Sequence, residues 1–189
     1  MATPLKLKDH YTKDIIPVLK KDLGIKNILA VPKLTKVKVN VGLGPFLSAK
    51  KDYSEVLDNL AAITGQKPVI NKARKAISNF KIRKGLPIGV SVTVRGSKMY
   101  DFVSKLVNIT LPRIRDFRGI PLKSFDGNGN YSLGIMENTV FPEINPDNID
   151  KIYSLEVTIC TSAKNDKEGM ALLKALGFPF QKEKLSAKK

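Results

Sequence analysis

The feature that most constrains this chain is a two-residue alternation that recurs in widely separated segments. From Thr35 to Val41, Val37, Val39 and Val41 fall on one face and Lys36, Lys38 and Asn40 on the other. From Ile88 to Arg95, Ile88, Val90, Val92 and Val94 point one way and Ser91, Thr93 and Arg95 the other. Tyr131, Leu133 and Ile135 alternate briefly after Asp126-Gly127-Asn128-Gly129-Asn130, and Leu155, Val157 and Ile159 alternate within Ile152 to Thr161. Neighbouring side chains of a strand point to opposite faces, so each run predicts a strand that is dry on one side and wet on the other. Strands buried on both faces would read as continuous apolar runs, which these are not.

Helical periods lie between the strands. Tyr11, Ile15, Ile16, Leu19 and Leu23 predict a helix from about Lys8 to Leu23, with Pro17 implying a kink or a late start and Gly24 a stop. Ser48 precedes a helix carrying Tyr53, Val56, Leu57, Leu60 and Ile63, closed at Gly65. Ser97 is expected to cap a helix with Met99, Phe102, Val103, Leu106 and Val107 inward, ended by Pro112. The last helix opens at Asn165, with Glu168 three residues on, and closes at Gly177. Strands and helices that interleave in this way, with every strong strand half wet, predict an α+β fold: a sheet covered by helices on one face and open on the other. The chain reads as one domain over residues 1–180, with a charged tail at 181–189.

The open face would carry Lys36, Lys38, Asn40, Ser91, Thr93 and Arg95, all able to bond phosphate, ribose or base edges. A merely solvated face is the ordinary alternative. Against it stand 33 Lys plus Arg and 17 Asp plus Glu, a net charge of +16 whose self-repulsion a polyanion would relieve. Gly65 to Gly85 concentrates that charge: Lys67, Lys72, Arg74, Lys75, Lys81, Arg83 and Lys84 occur without an acid. Phe80 and Ile82 are interleaved with them, and Phe80 either stacks on a base or plugs the core edge. A second cluster, Arg113, Arg115 and Arg118 around Asp116 and Phe117, has the spacing of a surface knob. It suits RNA or an acidic protein surface, with Asp116 available to orient an arginine.

Catalytic and metal motifs do not assemble. Asp126, Asn128, Asn130 and Glu137 stand at calcium-loop positions, but Tyr131 occupies the place that needs glycine. Gly42-Leu43-Gly44 lacks the third glycine of a dinucleotide fingerprint because Leu47 stands there, and a tight strand-to-helix turn explains it. The sole histidine, His10, has Asp9 and Asp14 for neighbours and reads as solvent-facing; Cys160 falls on an outward strand position with no base in view. One cysteine allows neither an internal disulfide nor a zinc cluster and fits a reducing compartment. The first residues lack an apolar signal core, and no long apolar run predicts a membrane span, so a cytoplasmic protein is expected. The residues favour an RNA-binding structural protein without cofactors over two rivals, an RNA-modifying enzyme and an adaptor for an acidic protein.

Several runs, in order, resemble the bacterial-type L-five ribosomal proteins: Gly65-Gln66-Lys67-Pro68, Lys72-Ala73-Arg74-Lys75, Phe80-Lys81-Ile82-Arg83, Pro87-Ile88-Gly89, Arg113-Ile114-Arg115-Asp116-Phe117-Arg118-Gly119, Ser124-Phe125-Asp126-Gly127 and Phe141-Pro142-Glu143-Ile144. The set covers about residues 8 to 180. The departures are Asn138, where the family usually has Gln, the Asn145-Pro146 pair, and the Lys-rich tail. The resemblance implies an antiparallel sheet flanked by helices, seated in the central protuberance of the large ribosomal subunit and bound to 5S ribosomal RNA. It assigns Asn40, Gln66, Ser91, Thr93 and Arg95 to the 5S face, to which the residue reading adds Lys36, Lys38 and Lys67. It directs a projecting basic loop, 72–84, towards tRNA in the peptidyl site through Lys72, Arg74, Lys75, Ser78, Asn79, Phe80, Lys81, Arg83 and Lys84. It also implies an intersubunit bridge from Arg113, Arg115, Asp116, Phe117 and Arg118 to a small-subunit head protein, with large-subunit RNA and neighbouring ribosomal proteins as further partners.

Overall fold

The computed structural model describes residues 7–48, 52–145 and 152–181. The charged tail from 182 onward, and Pro146 of the Asn145-Pro146 pair, lie outside the described residues. In chain order the regular elements are α1 (Leu7–His10), α2 (Ile16–Asp22), β1 (Leu34–Gly42), α3 (Gly44–Ser48), α4 (Ser54–Thr64), β2 (Val69–Lys72), β3 (Pro87–Val94), α5 (Gly96–Lys105), β4 (Tyr131–Ile135), β5 (Leu155–Thr161) and α6 (Asp166–Ala175). Five strands form one sheet in the order β2-β3-β1-β5-β4. All four pairings are antiparallel, so the α+β expectation holds.

The register explains the buried face. Val37 lies opposite Val94 and Ile159, Val39 opposite Val92 and Val157, and Tyr131 and Leu133 continue the same two rows on β4. Val37, Val39 and Val41 are fully buried, as are Val90, Val94, Val157 and Ile159. Burying each such side chain is worth about 1.5–3 kcal/mol, and a one-residue slip would turn a whole row to water. Register is therefore fixed by the core. Ile88, expected inward, is 38% exposed near the start of β3, where it lines a cavity with Leu47 of α3 and Phe80.

The helices show where local signals mislead. Pro17 does not delay its helix, which begins at Leu7, and Pro112 stands in the last turn of its own, which ends at Arg113; each follows one wide turn, Tyr11–Ile15 and Leu106–Thr110. Ile16 N–H donates to the Tyr11 carbonyl and Leu111 N–H to that of Leu106, five residues back. Widening the turn gives the residue before each proline a partner while the ring takes a place that needs no donor. The α5 helix thus runs on through Leu111–Arg113.

Ser48 is not a cap but the last residue of α3, and α4 starts only at Ser54, where the Asp52 carboxylate accepts from Tyr53 N–H, Ser54 N–H and the Ser54 hydroxyl. Ser97 is not a cap either. Arg95 is extended, and Gly96, at φ +64°, turns the chain from β3 directly into α5, a conformation that favours glycine. Gly65 closes α4 in the left-handed region as expected, and Lys98 and Lys105 donate to the carbonyls of Gly65 and Ile63 at that end. At α6, Asn165 accepts from Glu168 N–H, while the Glu168 carboxylate accepts from Lys164 N–H.

Candidate nucleic-acid interface

The sheet's second face is built by the same register. Thr93, Lys38, Thr158 and Ser132 form one row; Val69, Ser91, Asn40, Glu156 and Gly134 form the next. Lys36 lies beyond, opposite Cys160, and Asn71, Gly89 and Gly42 make a row on the other side. Core-forming valines alternate with these residues, so the burial that fixes the core also fixes which polar groups share a surface. Lys38 and Thr93 are exposed, and Asn40 and Ser91 half-buried. Arg95 stands one residue past the end of β3 and is exposed. Lys67 is exposed in the approach to β2, with Gln66 half-buried beside it.

Charge on this surface is uncompensated. Among the described residues the ion pairs are His10 with Asp14 and Lys105 with Glu143, so no cation of the sheet face has an acidic partner. Ser91 is engaged internally, receiving a hydrogen bond from the Asn71 amide at 3.0 Å. Lys38, Asn40 and Thr93 make no such bond within the described chain and are free to meet a ligand. Sequence reasoning missed Asn71, Ser132, Glu156 and Thr158. The outward half of the β5 alternation already marked Glu156 and Thr158, but Asn71 lies in β2, inside what reads as a loop.

That loop is a paired excursion between β2 and β3. Ala73 N–H donates to Leu86 O and Gly85 N–H to Ala73 O, and Ile77 and Ile82 exchange both backbone bonds. Lys72 is the last residue of β2, Ser78–Phe80 form a single tight turn, and Lys81 follows at φ +54°. Arg74, Lys75, Ser78, Asn79, Lys81, Arg83 and Lys84 are exposed. Phe80 is 71% exposed, which rules out a core plug. Of the segment only Ala73 is buried, and Ile82 half-buried.

The third cluster follows the extended α5. Arg113, Arg115, Asp116 and Arg118 are exposed, while Ile114 and Phe117 turn inward and pack against the core. Asp116 adopts φ +51° and forms no ion pair with the arginines, so it shapes the turn and does not orient them. The three clusters come from three segments of the chain: open sheet face, β2–β3 excursion and post-α5 knob, of which Arg115 and Phe117 line a cavity with Gly134 and Met136 at the β4 side of the sheet.

The other candidates resolve simply. Asp126 accepts from Asn128 N–H, Asn130 N–H and the Asn130 amide, and these bonds, led by the Asn130 side chain, hold its carboxyl below its ordinary range. It closes a turn, and Asn130 in turn accepts from Thr161 N–H of β5. Glu143 pairs with Lys105, and Glu156 stands on the open face. His10 is exposed with Asp14 as its partner. Among the described residues no group of three His, Cys, Asp or Glu could hold a metal, and no helix is long and apolar enough to cross a membrane.

Comparison with known proteins agrees with this geometry. Residues 27–83 match the family described as ribosomal protein L5, and residues 87–180 match the ribosomal L5P family C-terminus. The chain is 54% identical over 176 residues to the large ribosomal subunit protein uL5 of Geotalea uraniireducens, covering 93% of this chain and 98% of that protein. It is 57% identical over 176 residues to the Synechocystis uL5, with the same coverage, and 54% identical over 177 residues to that of Bdellovibrio bacteriovorus, covering 94% and 99%. Matches that run through the sheet, the basic excursion and the knob alike leave one conclusion: the chain belongs to the ribosomal protein L5 family and is a structural protein of the large ribosomal subunit, not an enzyme.

Proposed function

We propose that this protein holds 5S ribosomal RNA on the open face of its sheet, reaches peptidyl-site tRNA with the 72–84 excursion, and meets a small-subunit head protein through the 113–118 knob. The ribosomal role itself, exercised on the cytoplasmic ribosome, follows from the family. The observation that carries the finer reading is the sheet face: Lys36, Lys38, Asn40 and Thr93 stand in fixed register on one surface, and among the described residues neither lysine forms an ion pair with an acid. Phosphate neutralises such lysines, while hydroxyl and amide groups reach ribose and base edges, the combination that separates affinity from specificity. The excursion has exposed cations and an exposed aromatic, the pairing that single-stranded or unstacked nucleotides use. The knob offers guanidinium groups fixed by two inward anchors, Ile114 and Phe117, and suits an acidic protein surface. In the central protuberance, large-subunit RNA and neighbouring ribosomal proteins complete the partners, and no cofactor is called for.

Filter binding of the purified protein to 5S RNA and to a tRNA at moderate salt tests the central claim. Clear preference for 5S RNA is expected. Equal affinity for the two would refute the assignment of the sheet, and affinity that ignores salt would favour an adaptor for acidic proteins.

A further inference from the structure

Glu156 is out of place on a face built to meet a polyanion. Among the described residues of the open face it is the only carboxylate, exposed and without a hydrogen bond or ion pair. Next to a phosphate it would repel, at a cost that lengthens with every nearby backbone oxygen. Its favourable partner in RNA is a donor edge of a base. We infer that Glu156 and its surroundings form a pocket that reads one unpaired guanine; the inference rests on the 5S reading and specifies it.

Asn40, Gly42, Gly134, Met136, Ser154 and Glu156 line a depression of about 340 Å³ on this face, a volume suited to a nucleotide and far larger than an ion needs. Its floor is glycine: a Cβ built on Gly42 or Gly134 meets nothing within 4 Å, so a flat ring can approach the backbone closely. Met136 is 87% exposed and supplies a polarizable wall beside that ring. Asn40 stands directly across the strands from Glu156, and Gly134 directly on its other side.

The donor pattern selects the base. A carboxylate is an acceptor with two oxygens, and guanine is the one base with two adjacent donors, N1–H and the 2-amino group, on its Watson–Crick edge. O6 lies next to them, where the Asn40 amide donates. Adenine and cytosine offer one amino group each and uracil one imide N–H, so each leaves a carboxylate oxygen unused. A guanine already paired has this edge occupied, so the target is a looped or bulged one.

Full-length protein and Glu156→Gln are titrated with 5S RNA transcripts in which each unpaired guanine is replaced singly by inosine, which lacks the 2-amino group. Simple electrostatics predicts that removing an acid tightens RNA binding. The pocket predicts the reverse, a loss of about tenfold, in line with the discrimination of a bidentate base contact. It also predicts one position at which inosine weakens the unaltered protein about tenfold and leaves Glu156→Gln unchanged. Equal or tighter binding by Glu156→Gln, or inosine effects that are the same for both proteins at every position, would overturn the pocket while leaving the 5S reading intact. Absence of any 5S preference in the unaltered protein would overturn both. Glu156 is exposed, so matching thermal melts confirm that the comparison is between folded proteins.

Discussion

Lys38 and Thr93 make the sharpest test of the open face because they are direct cross-strand partners, touching the same patch of whatever binds there. Neither bonds to another part of the described chain, and both are exposed, so replacing either leaves the core valines in place. Lys38→Ala removes one phosphate contact, which lowers the slope of log affinity against log salt by about 0.7–0.9. Across a fourfold change in salt that difference amounts to about threefold in affinity, so the deficit of the variant is largest at low salt and shrinks as salt rises. Thr93→Val keeps the β-branched shape and deletes a hydroxyl, costing about 1 kcal/mol, or about fivefold in Kd, equally at every salt concentration. Filter binding to 5S RNA at four salt concentrations separates the two signatures. Parallel salt lines for both variants, or no loss in either, would show that this is not the face that meets RNA.

Replacing Arg74, Lys75, Lys81 and Arg83 with Gln should weaken 5S binding only modestly through lost long-range attraction, but speed tRNA dissociation from the peptidyl site of assembled ribosomes; abolished 5S binding with unchanged tRNA release would assign the excursion to the 5S interface. Gly169→Ala should lower stability by about 2–3 kcal/mol in a urea melt, because its Cβ would lie 2.5 Å from the Gly129 carbonyl oxygen and 2.8 Å from Gly129 Cα, forcing α6 off the turn that follows Asp126. Burial pushes the hydroxyls of Tyr11 and Tyr131 up to about 12, with Tyr100 adding to the effect at Tyr11. Both are neutral folded or unfolded below pH 10, so stability is intact there. Between about pH 10 and 12 only the unfolded chain ionises, and stability falls by up to about 2.7 kcal/mol per tyrosine. Tyr131→Phe should flatten that fall in urea melts at pH 9 and 11.5; an unchanged decline would refute the cause.

The elements that sequence patterns revealed are those whose environment differs strongly between their two sides. Alternation marked β1, β3, β4 and β5 because one face is buried in the core while the other carries polar residues that no described helix covers, and Val39 between Lys38 and Asn40 states that contrast within three residues. The β2 strand escaped because it is a four-residue edge: Val69 and Ile70 are both partly in water, so no dry face exists to create a pattern. Caps failed at Ser48 and Ser97 because a serine is an opportunity, and Asp52 and the turn at Gly96 took the role instead. Pro112 marked the last turn of its helix to within a residue, whereas Pro17 did not delay its own, since a wide turn upstream gives the N–H of Ile16 a partner at Tyr11, a tertiary-scale adjustment that local propensity does not include. The open-face residues were legible singly; that Glu156 faces Asn40 depends on register between β1 and β5, which is a tertiary property.

The contrast between sheet and excursion carries a mechanical consequence for the proposed division of labour. Lys38 and Asn40 of β1 are each flanked by fully buried valines, so moving either means disturbing Val37, Val39 or Val41, at a cost set by the core of the domain. The excursion from Lys72 to Lys84 is held by backbone pairs at Ala73–Leu86 and Ile77–Ile82 and buries one alanine. It therefore opens at far lower cost than the sheet and can adjust to a ligand without loosening what the sheet holds. A permanent RNA partner gains from the rigid surface, where no ordering entropy is spent on binding; a tRNA that must arrive and leave gains from the adaptable one, where a weak, salt-sensitive contact releases readily. Hydrogen exchange reads this directly: amides of β1 and β3 should exchange only through global unfolding, and those of residues 74–84 by local opening, before any RNA is added.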